Sequence, residues 1–206
     1  MIPRTKEILI WSYRLLFVAA CSALGYCAIV ALEAMHYQAW AREKLKESNS
    51  AVLDLSAPSI RRGSSPGATS AQSDGVTFVG RVDVPRIHLS AMISEGATAA
   101  VLSLAVGHVL GTALPGRTGN TALAAHRDTF FRRLGELQPG DVIQIWGPRN
   151  EYSYRVVFTD IVDPDETWVL QPASGETLTL ITCYPFRFVG SAPKRFVVRA
   201  RRSGRN

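Results

Sequence analysis

Cys183 is the residue best placed to do chemistry in this sequence, because it closes the strand-like run TLITC over residues 179–183. Pro185 follows two residues later, and proline cannot donate a hydrogen bond to a sheet, so the strand is expected to stop there. The thiol is therefore predicted at the rim of a sheet, where a nucleophilic thiolate has the solvent access that it needs. Taken alone, the thiol is also compatible with an inert core residue or an intermolecular crosslink.

A cysteine nucleophile needs a proton partner, which is most often histidine, and the sequence contains four histidines. His126 ends the small-residue run TALAAH and opens a turn, which is a rim position like that of Cys183. His36 follows an apolar run and His88 follows a turn with proline, so both are interpreted as surface residues. His108 ends a helix-like stretch before a loop rich in Gly and Pro. Position alone leaves both His126 and His108 open as the partner of a thiol, and any single histidine is more often structural.

The elements that must position these side chains begin with an apolar run over residues 15–32, which contains no charge. About 20 apolar residues cross a bilayer as a helix, so this run is predicted to be a membrane span. The alternative, a cleaved signal peptide, has a shorter apolar region and a small-x-small cleavage site, and neither fits here. Basic residues at positions 4, 6 and 14 predict that residues 1–14 are cytoplasmic, although three more basic residues follow the span.

Residues 33–75 are predicted to be a juxtamembrane segment and a flexible linker. The first part, to about residue 48, is polar and compatible with a helix, and its aromatic residues suit the membrane interface. Residues 48–75 are rich in Ser, Ala, Gly and Pro and bury too little apolar surface to order themselves, so they are expected to form a flexible tether. A lid that folds over a site is the alternative.

Composition and charge exclude several classes of protein. The apolar fraction of 47% and the absence of repeats exclude a collagen-like, coiled-coil or wholly disordered chain. The net charge of +6 comes from six basic residues within 194–206, and without them 17 basic residues balance 17 acidic ones. A nucleic-acid binder spreads basic residues over a folded face instead, so no nucleic-acid partner is predicted.

No cluster has the ligand spacing of a metal site, so no metal or other cofactor is predicted.

From residue 76 to residue 206 the sequence has the texture of a single β domain. Short, partly alternating β-branched runs are separated by Gly, Pro and Asp turns, which is typical of strands. One stretch, roughly residues 98–109, has apolar residues at helical spacing and is expected to form one crossing helix. The predicted fold class is mainly β, a closed or half-closed barrel with short helices, preceded by the transmembrane helix.

Several blocks of this domain resemble the sortase family of membrane-anchored cysteine transpeptidases, and most of all its class D. They are GHVLGTALPGRTGN (107–120), ALAAHRDTFFRRL (122–134), LQPGDVIQIW (137–146) and TLITCYPFRFVGSAPKRFVVRA (179–200). The order and spacing also match, with the cysteine 57 residues after the histidine and an arginine 12 residues beyond the cysteine. The resemblance covers nearly the whole domain and implies a sortase-type barrel of about eight strands.

The resemblance implies that Cys183 is the nucleophile, His126 its proton partner and Arg195 the third catalytic residue. A guanidinium and backbone N–H groups suit the oxyanion of an acyl-transfer intermediate. Strand alternation puts Arg195 on one face with two other arginines, so only the resemblance selects it. Thr182 matches the family position that helps to shape the substrate pocket. Trp168, in the loop before TLTLITC, is hypothesised to line an apolar substrate groove, the alternative being a core or surface aromatic.

The implied function is cleavage of an LPxTG-like C-terminal sorting motif of exported proteins after its Thr. The acyl group would then pass to an amine of the cell envelope, either a peptidoglycan precursor or a pilin lysine. The implied location is the cell membrane, with one span, a cytoplasmic N-terminus and an extracytoplasmic catalytic domain. The alternatives are a related cysteine hydrolase and a non-catalytic, membrane-tethered barrel that binds a ligand and has Cys183 in its core.

Overall fold

The protein was analysed as a computed structural model, in which the structure describes residues 3–54, 72–73, 76–148 and 150–204. It contains a long N-terminal helix, α1 (Pro3–Asp54), and a short helix, α2 (Ala99–Leu104). The strands in the described residues are β1 (Gln72–Ser73), β2 (Val76–Val84), β3 (Leu89–Glu95), β4 (Val106–His108), β5 (Gly119–Ala124), β6 (Val142–Trp146), β7 (Glu151–Val162), β8 (Glu176–Tyr184) and β9 (Lys194–Arg202).

The strands of the described residues form one sheet that closes into a barrel. Their order is β1-β2-β3-β4-β5-β8-β9-β7-β6, and pairing of β2 with β6 joins the two sides of the sheet, leaving β1 as an appended edge. Two pairs are parallel, β3 with β4 and β5 with β8, and the others are antiparallel. The predicted barrel of about eight strands, with few helices, is confirmed.

Alternation along each strand explains how the barrel is filled. In β9, Phe196, Val198 and Ala200 point inward and belong to the main core, while the intervening arginines and Val197 point outward. In β8, Leu178 and Leu180 are the inward residues, so Cys183 belongs to the outward set. The thiol and three arginines of β9, Arg195, Arg199 and Arg201, therefore lie on the outer face of the barrel, as alternation predicts.

The helix α1 contains the predicted span. Among the described residues, it is the one helix that is long and apolar enough to cross a membrane, over Ile8–Glu43, and its most apolar stretch is fully exposed. The tether predicted over residues 48–75 falls mostly outside the described residues; within them, α1 extends to Asp54 and the short strand β1 follows at Gln72–Ser73.

The helix predicted over residues 98–109 is wrong in its second half. The helix α2 ends at Leu104, and Val106–His108 form β4, which pairs with β3 in parallel. Pairing with β3 replaces the helix here, and Gly107 permits this pairing, because a Cβ atom on it would lie 2.4 Å from the carbonyl oxygen of Gly96. The apolar spacing that indicated a helix instead buries all three residues of β4 within the sheet.

Candidate active site

Cys183 and Arg195 are direct cross-strand partners on the outer face of the barrel. The antiparallel register of β8 and β9 pairs Cys183 with Arg195, near the carboxyl end of one strand and the amino end of the other. Side chains paired in this way have Cβ atoms about 5 Å apart. The register thus brings together two of the three residues implied to be catalytic, and it separates Arg195 from Arg199, which pairs with Thr179.

His126 approaches Cys183 from the other side of β8. The parallel register of β5 and β8 pairs Ala124 with Ile181. Continued by two residues in each segment, this register puts His126 level with Cys183. The backbone N–H of Ala125 donates to the carbonyl of Ile181 at 3.3 Å, which carries the alignment beyond the last strand residue. Both Cys183 and His126 are half-buried, and the thiol is free. The nucleophile thus lies between the histidine and the arginine.

Thr182 fixes the backbone that leads into His126. Its side chain points inward and is 2% exposed, and its Oγ1 donates to the carbonyl oxygen of Ala125 at 2.7 Å. This bond joins the residue before the thiol to the residue before the histidine. The side chain of Thr182 therefore links the end of β8 to the segment that carries His126, and its part in shaping the substrate pocket stays a prediction.

The guanidinium of Arg195 is oriented by backbone carbonyls at the start of its strand. Its Nη1 donates to the carbonyl oxygens of Lys194 at 2.9 Å and of Ala192 at 3.3 Å. Within the part of the chain that the structure describes, Nε and Nη2 of Arg195 have no hydrogen-bond partner. These N–H groups are free to donate to an oxygen that carries developing negative charge.

Arg127 is a positioning residue that the sequence analysis did not identify. Its guanidinium donates to the carbonyls of Pro185, Phe188 and Gly190 at 2.9–3.0 Å, and it lies over the ring of Phe188. It therefore fastens the loop that follows Cys183 to the residue next to His126. The signal in the sequence was its place directly after the candidate histidine, in AAHRDTFF.

A segment over residues 163–175 covers the outer face of β8 before the thiol. Asn120 donates from Nδ2 to the carbonyl of Val169 at 2.8 Å and accepts from Thr179 Oγ1 at 2.6 Å. Val169 also packs in a small apolar cluster with Val162 and Val197. Buried hydrogen bonds and apolar contacts thus hold this segment to the strand that carries Cys183.

Trp168 belongs to this covering segment, and it packs against the same small apolar cluster as Ile181. It packs against Phe158, with ring centroids 6.4 Å apart, and the guanidinium of Arg199 lies 5.7 Å from its ring. Burial lowers the pKa of Arg199 from its ordinary value. Arg199 lies four residues along β9 from Arg195, about 13 Å at the usual rise of a strand. Trp168 thus shares an apolar cluster with Ile181, two residues before Cys183, and its place in a substrate groove stays a prediction.

A pocket of about 330 Å³ lies beside Trp168, on the same outer face of the barrel. Thr177, Arg199 and Arg201 are among the residues that line it. Thr177 precedes Cys183 by six residues of β8, about 20 Å. This pocket is therefore separate from the candidate active site. Across the described residues, no group of three or more His, Cys, Asp or Glu side chains has the arrangement of a metal site.

Comparison with known proteins identifies the family. A family model of the sortase domain matches residues 82–203, which is more than half of the chain. The chain belongs to the sortase family. Sortase D of Bacillus subtilis (strain 168) is 40% identical to it over 124 residues, which cover 60% of this chain and 63% of the relative. Sortase A of Bacillus anthracis is 30% identical over 132 residues, which cover 62% of this chain and 61% of the relative.

This sortase therefore matches less than two thirds of the length of those two relatives. It also matches a solved structure of a Clostridium perfringens sortase D5 transpeptidase, with a TM-score of 0.62 and 26% identity, over 84% of this chain and 99% of that chain. The match agrees with the barrel described above. The candidate catalytic residues of this sortase all fall within the region matched by the family model.

Proposed function

We propose that this sortase is a cysteine transpeptidase in which Cys183, His126 and Arg195 perform acyl transfer. The observation that carries the proposal is the register of β5, β8 and β9, which pairs Cys183 with Arg195 and, continued two residues beyond β5, supports a place for His126 level with Cys183. A thiol alone is weak support for catalysis, but a thiol between an imidazole and a guanidinium has the groups that acyl transfer requires.

The first half-reaction is acylation of the enzyme. The Cys183 thiolate, stabilised by the neighbouring imidazolium, attacks the carbonyl carbon of the peptide bond after Thr of the substrate. The negative charge that develops on the carbonyl oxygen is met by the free N–H groups of Arg195. The C–N bond then breaks, His126 gives its proton to the departing amine, and the acyl group remains on Cys183 as a thioester.

The second half-reaction returns the enzyme to its starting state. A neutral amine of the acceptor attacks the thioester carbonyl, and its proton passes to His126 as the new amide bond forms. Collapse of the intermediate expels the Cys183 thiolate beside the regenerated imidazolium. The same two side chains therefore serve both half-reactions, with the proton of His126 given up in the first and regained in the second.

The proposed substrate is an exported protein with an LPxTG-like C-terminal motif. Ile181 precedes Cys183 by two residues on the same face and is half-buried, and Leu170 of the covering segment belongs to the same apolar cluster. These side chains offer an apolar approach to the thiol, which suits a motif with apolar residues before Thr. The proposed acceptor is an amine of a peptidoglycan precursor or a pilin lysine.

The proposed location is the cell membrane, with the N-terminus in the cytoplasm and the barrel outside it. The apolar stretch of α1, which is fully exposed, supports a membrane span. The basic residues at positions 4, 6 and 14 support the orientation. A fusion after Asn206 to a reporter that is active only outside the cytoplasm tests it, since activity is expected there and a cytoplasmic reporter at the same place should be inactive.

The experiment that tests the activity combines the full chain with an LPxTG-like peptide and an amine nucleophile. Mass spectrometry should detect the Thr–amine ligation product, and Cys183→Ala should abolish it without loss of fold, because the half-buried thiol contributes little packing. A Cys183→Ala variant that ligates normally would contradict the proposal. Cleavage of the peptide without any amine product would indicate a cysteine hydrolase instead.

A further inference from the structure

The part of α1 that follows the predicted span is fastened to the barrel by specific contacts. The side-chain amide of Gln38 donates from Nε2 to the carbonyl of Leu104 at 2.7 Å and accepts at Oε1 from the N–H of Met92 at 2.8 Å. Ala41 and Met92 are each 0% exposed and pack in one cluster. Because both ends of this side-chain amide are satisfied by backbone groups, one at the end of α2 and one in β3, α1 is held in one orientation relative to the barrel.

These contacts also define which end of the barrel faces the span. The hydroxyl of Tyr37 bonds to Ser94, and Arg42, later in α1, bonds to the carbonyl of Ser90, which is earlier in β3. The helix α1 and the strand β3 therefore run in opposite directions. The carboxyl end of β3 therefore points back toward the span. Because β4 runs parallel to β3, with His108 opposite Glu95, the chain after His108 leaves the barrel at this same end.

The loop that leaves there, over residues 109–118, displays two apolar side chains. Leu110 is 68% exposed and Leu114 is 48% exposed. The loop contains no acidic residue, and its one basic residue, Arg117, is exposed. Two large apolar side chains and a cation on a loop that has no acidic residue of its own suit an anionic lipid surface.

The loop is rigid enough to hold these leucines in place. The imidazole of the buried His108 bonds to Glu95 through Nδ1 and to the carbonyl of Ala113 and the hydroxyl of Thr112 through Nε2, all at 3.0–3.1 Å. The N–H of Ala122 donates in turn to Thr112 Oγ1 at 3.2 Å. A buried histidine that has no part in the acyl-transfer site thus braces the loop.

The distance to the membrane is compatible with contact. Tyr37 lies five residues beyond the predicted span, which is about 8 Å along a helix. The interfacial layer on each side of the hydrocarbon is about 5–7 Å thick. The strand β3 continues one residue, about 3 Å, past Ser94 toward the span, so the docked end of the barrel reaches to about 5 Å from the hydrocarbon, which is the depth of the lipid headgroups.

We propose that the 109–118 loop is a second membrane contact, in which Leu110 and Leu114 insert into an anionic lipid surface beside the α1 anchor. This inference rests on the proposed membrane anchorage. The contact holds one end of the barrel against the bilayer. The loop after Cys183 departs from the opposite end of the barrel and so stays away from the bilayer. The folded barrel, and not a flexible tether, thereby sets the height of the thiol above the lipid.

The test uses the full chain in vesicles of phosphatidylcholine and phosphatidylglycerol, with the three native cysteines changed to serine. A single new cysteine at Leu110 or Leu114 carries an environment-sensitive fluorophore, and the control carries it at Val189, which is 98% exposed on the loop after Cys183. Quenching by lipids with a nitroxide near the headgroup should be several-fold stronger at the two leucine positions than at Val189, with emission shifted to the blue.

Flotation of the same vesicles separates the two possible failures. Equal quenching at all three positions, in protein that floats with the vesicles, would overturn the loop contact and leave the anchor intact. Protein that does not float would overturn the anchorage and, with it, the loop contact. Neither result depends on catalytic activity, because Cys183 is already replaced.

Discussion

The hydrogen bond from Thr182 to Ala125 gives the sharpest test of how the barrel positions its candidate base. Thr182→Val keeps the shape of the side chain and removes the hydroxyl donor. The carbonyl of Ala125 then loses its 2.7 Å hydrogen bond, and water cannot replace it easily because the Thr182 side chain is only 2% exposed. An unsatisfied buried carbonyl costs about 1–3 kcal/mol. At roughly 2 kcal/mol, Tm in detergent micelles should fall by roughly 6–10 °C for a domain of this size.

The same variant should affect catalysis through the position of His126. If half of a 2 kcal/mol penalty is felt in the transition state, kcat falls about fivefold. KM for an LPxTG-like peptide should change little, because Thr182 points into the barrel and away from the substrate face. Steady-state kinetics of peptide–amine ligation measure both constants.

Thr182→Ser is the matched control, because it keeps the hydroxyl and loses only a methyl group. We expect it to retain most of the activity and to lose less stability than Thr182→Val. A loss in Thr182→Ser as large as that in Thr182→Val would show that the methyl contact matters as much as the hydrogen bond, and would contradict a role specific to the bond. Wild-type kcat and Tm in Thr182→Val would refute the positioning role of this hydrogen bond.

Three other variants test separate parts of the account. Arg195→Lys keeps the charge but loses the planar fork of donors, so ligation should fall steeply, whereas Arg201→Lys should be nearly silent; greater sensitivity at Arg201 would show that the wrong arginine is assigned. Gly107→Ala should destabilise the barrel by several kcal/mol, because the new Cβ atom would lie 2.4 Å from a backbone oxygen. Gly175→Ala is the control: its Cβ atom would meet no other atom within 4 Å, so the variant should have the Tm of the wild type. For Trp168→Ala, the groove hypothesis expects a raised KM or a changed preference among LPxTG-, LPNTA- and LAxTG-like peptides, and unchanged kinetics on all three would remove Trp168 from the groove.

Local patterns in the sequence were sufficient to predict the strands that carry the site. The run TLITC followed by proline indicated a strand that ends near the thiol, and β8 ends at Tyr184, one residue beyond it. Alternation in RFVVRAR put Arg195 on one face with Arg199 and Arg201, which the register of β8 and β9 bears out. These predictions hold because strand periodicity and proline act over only a few residues.

The features that sequence analysis missed depend on contacts between distant parts of the chain. Apolar spacing alone extended α2 through Gly107, because nothing local shows that the backbone of Gly96 packs against that position. Gln38 reads as one more polar residue of a juxtamembrane helix, yet it bonds to backbone groups 54 and 66 residues away. Arg127 gains its role only once the loop after Cys183 folds back beside it. Such contacts depend on tertiary structure and have no periodic signature.

The most direct test of the central claim is to trap the acyl-enzyme. The full chain is mixed with an LPxTG-like peptide without an amine acceptor, quenched in acid, digested and examined by mass spectrometry. The account predicts that the peptide containing Cys183 gains the mass of the acyl fragment ending in Thr. The adduct should be released by hydroxylamine, absent from Cys183→Ala and strongly reduced in His126→Ala. An acyl group on any other residue, or turnover that persists in Cys183→Ala, would contradict the account.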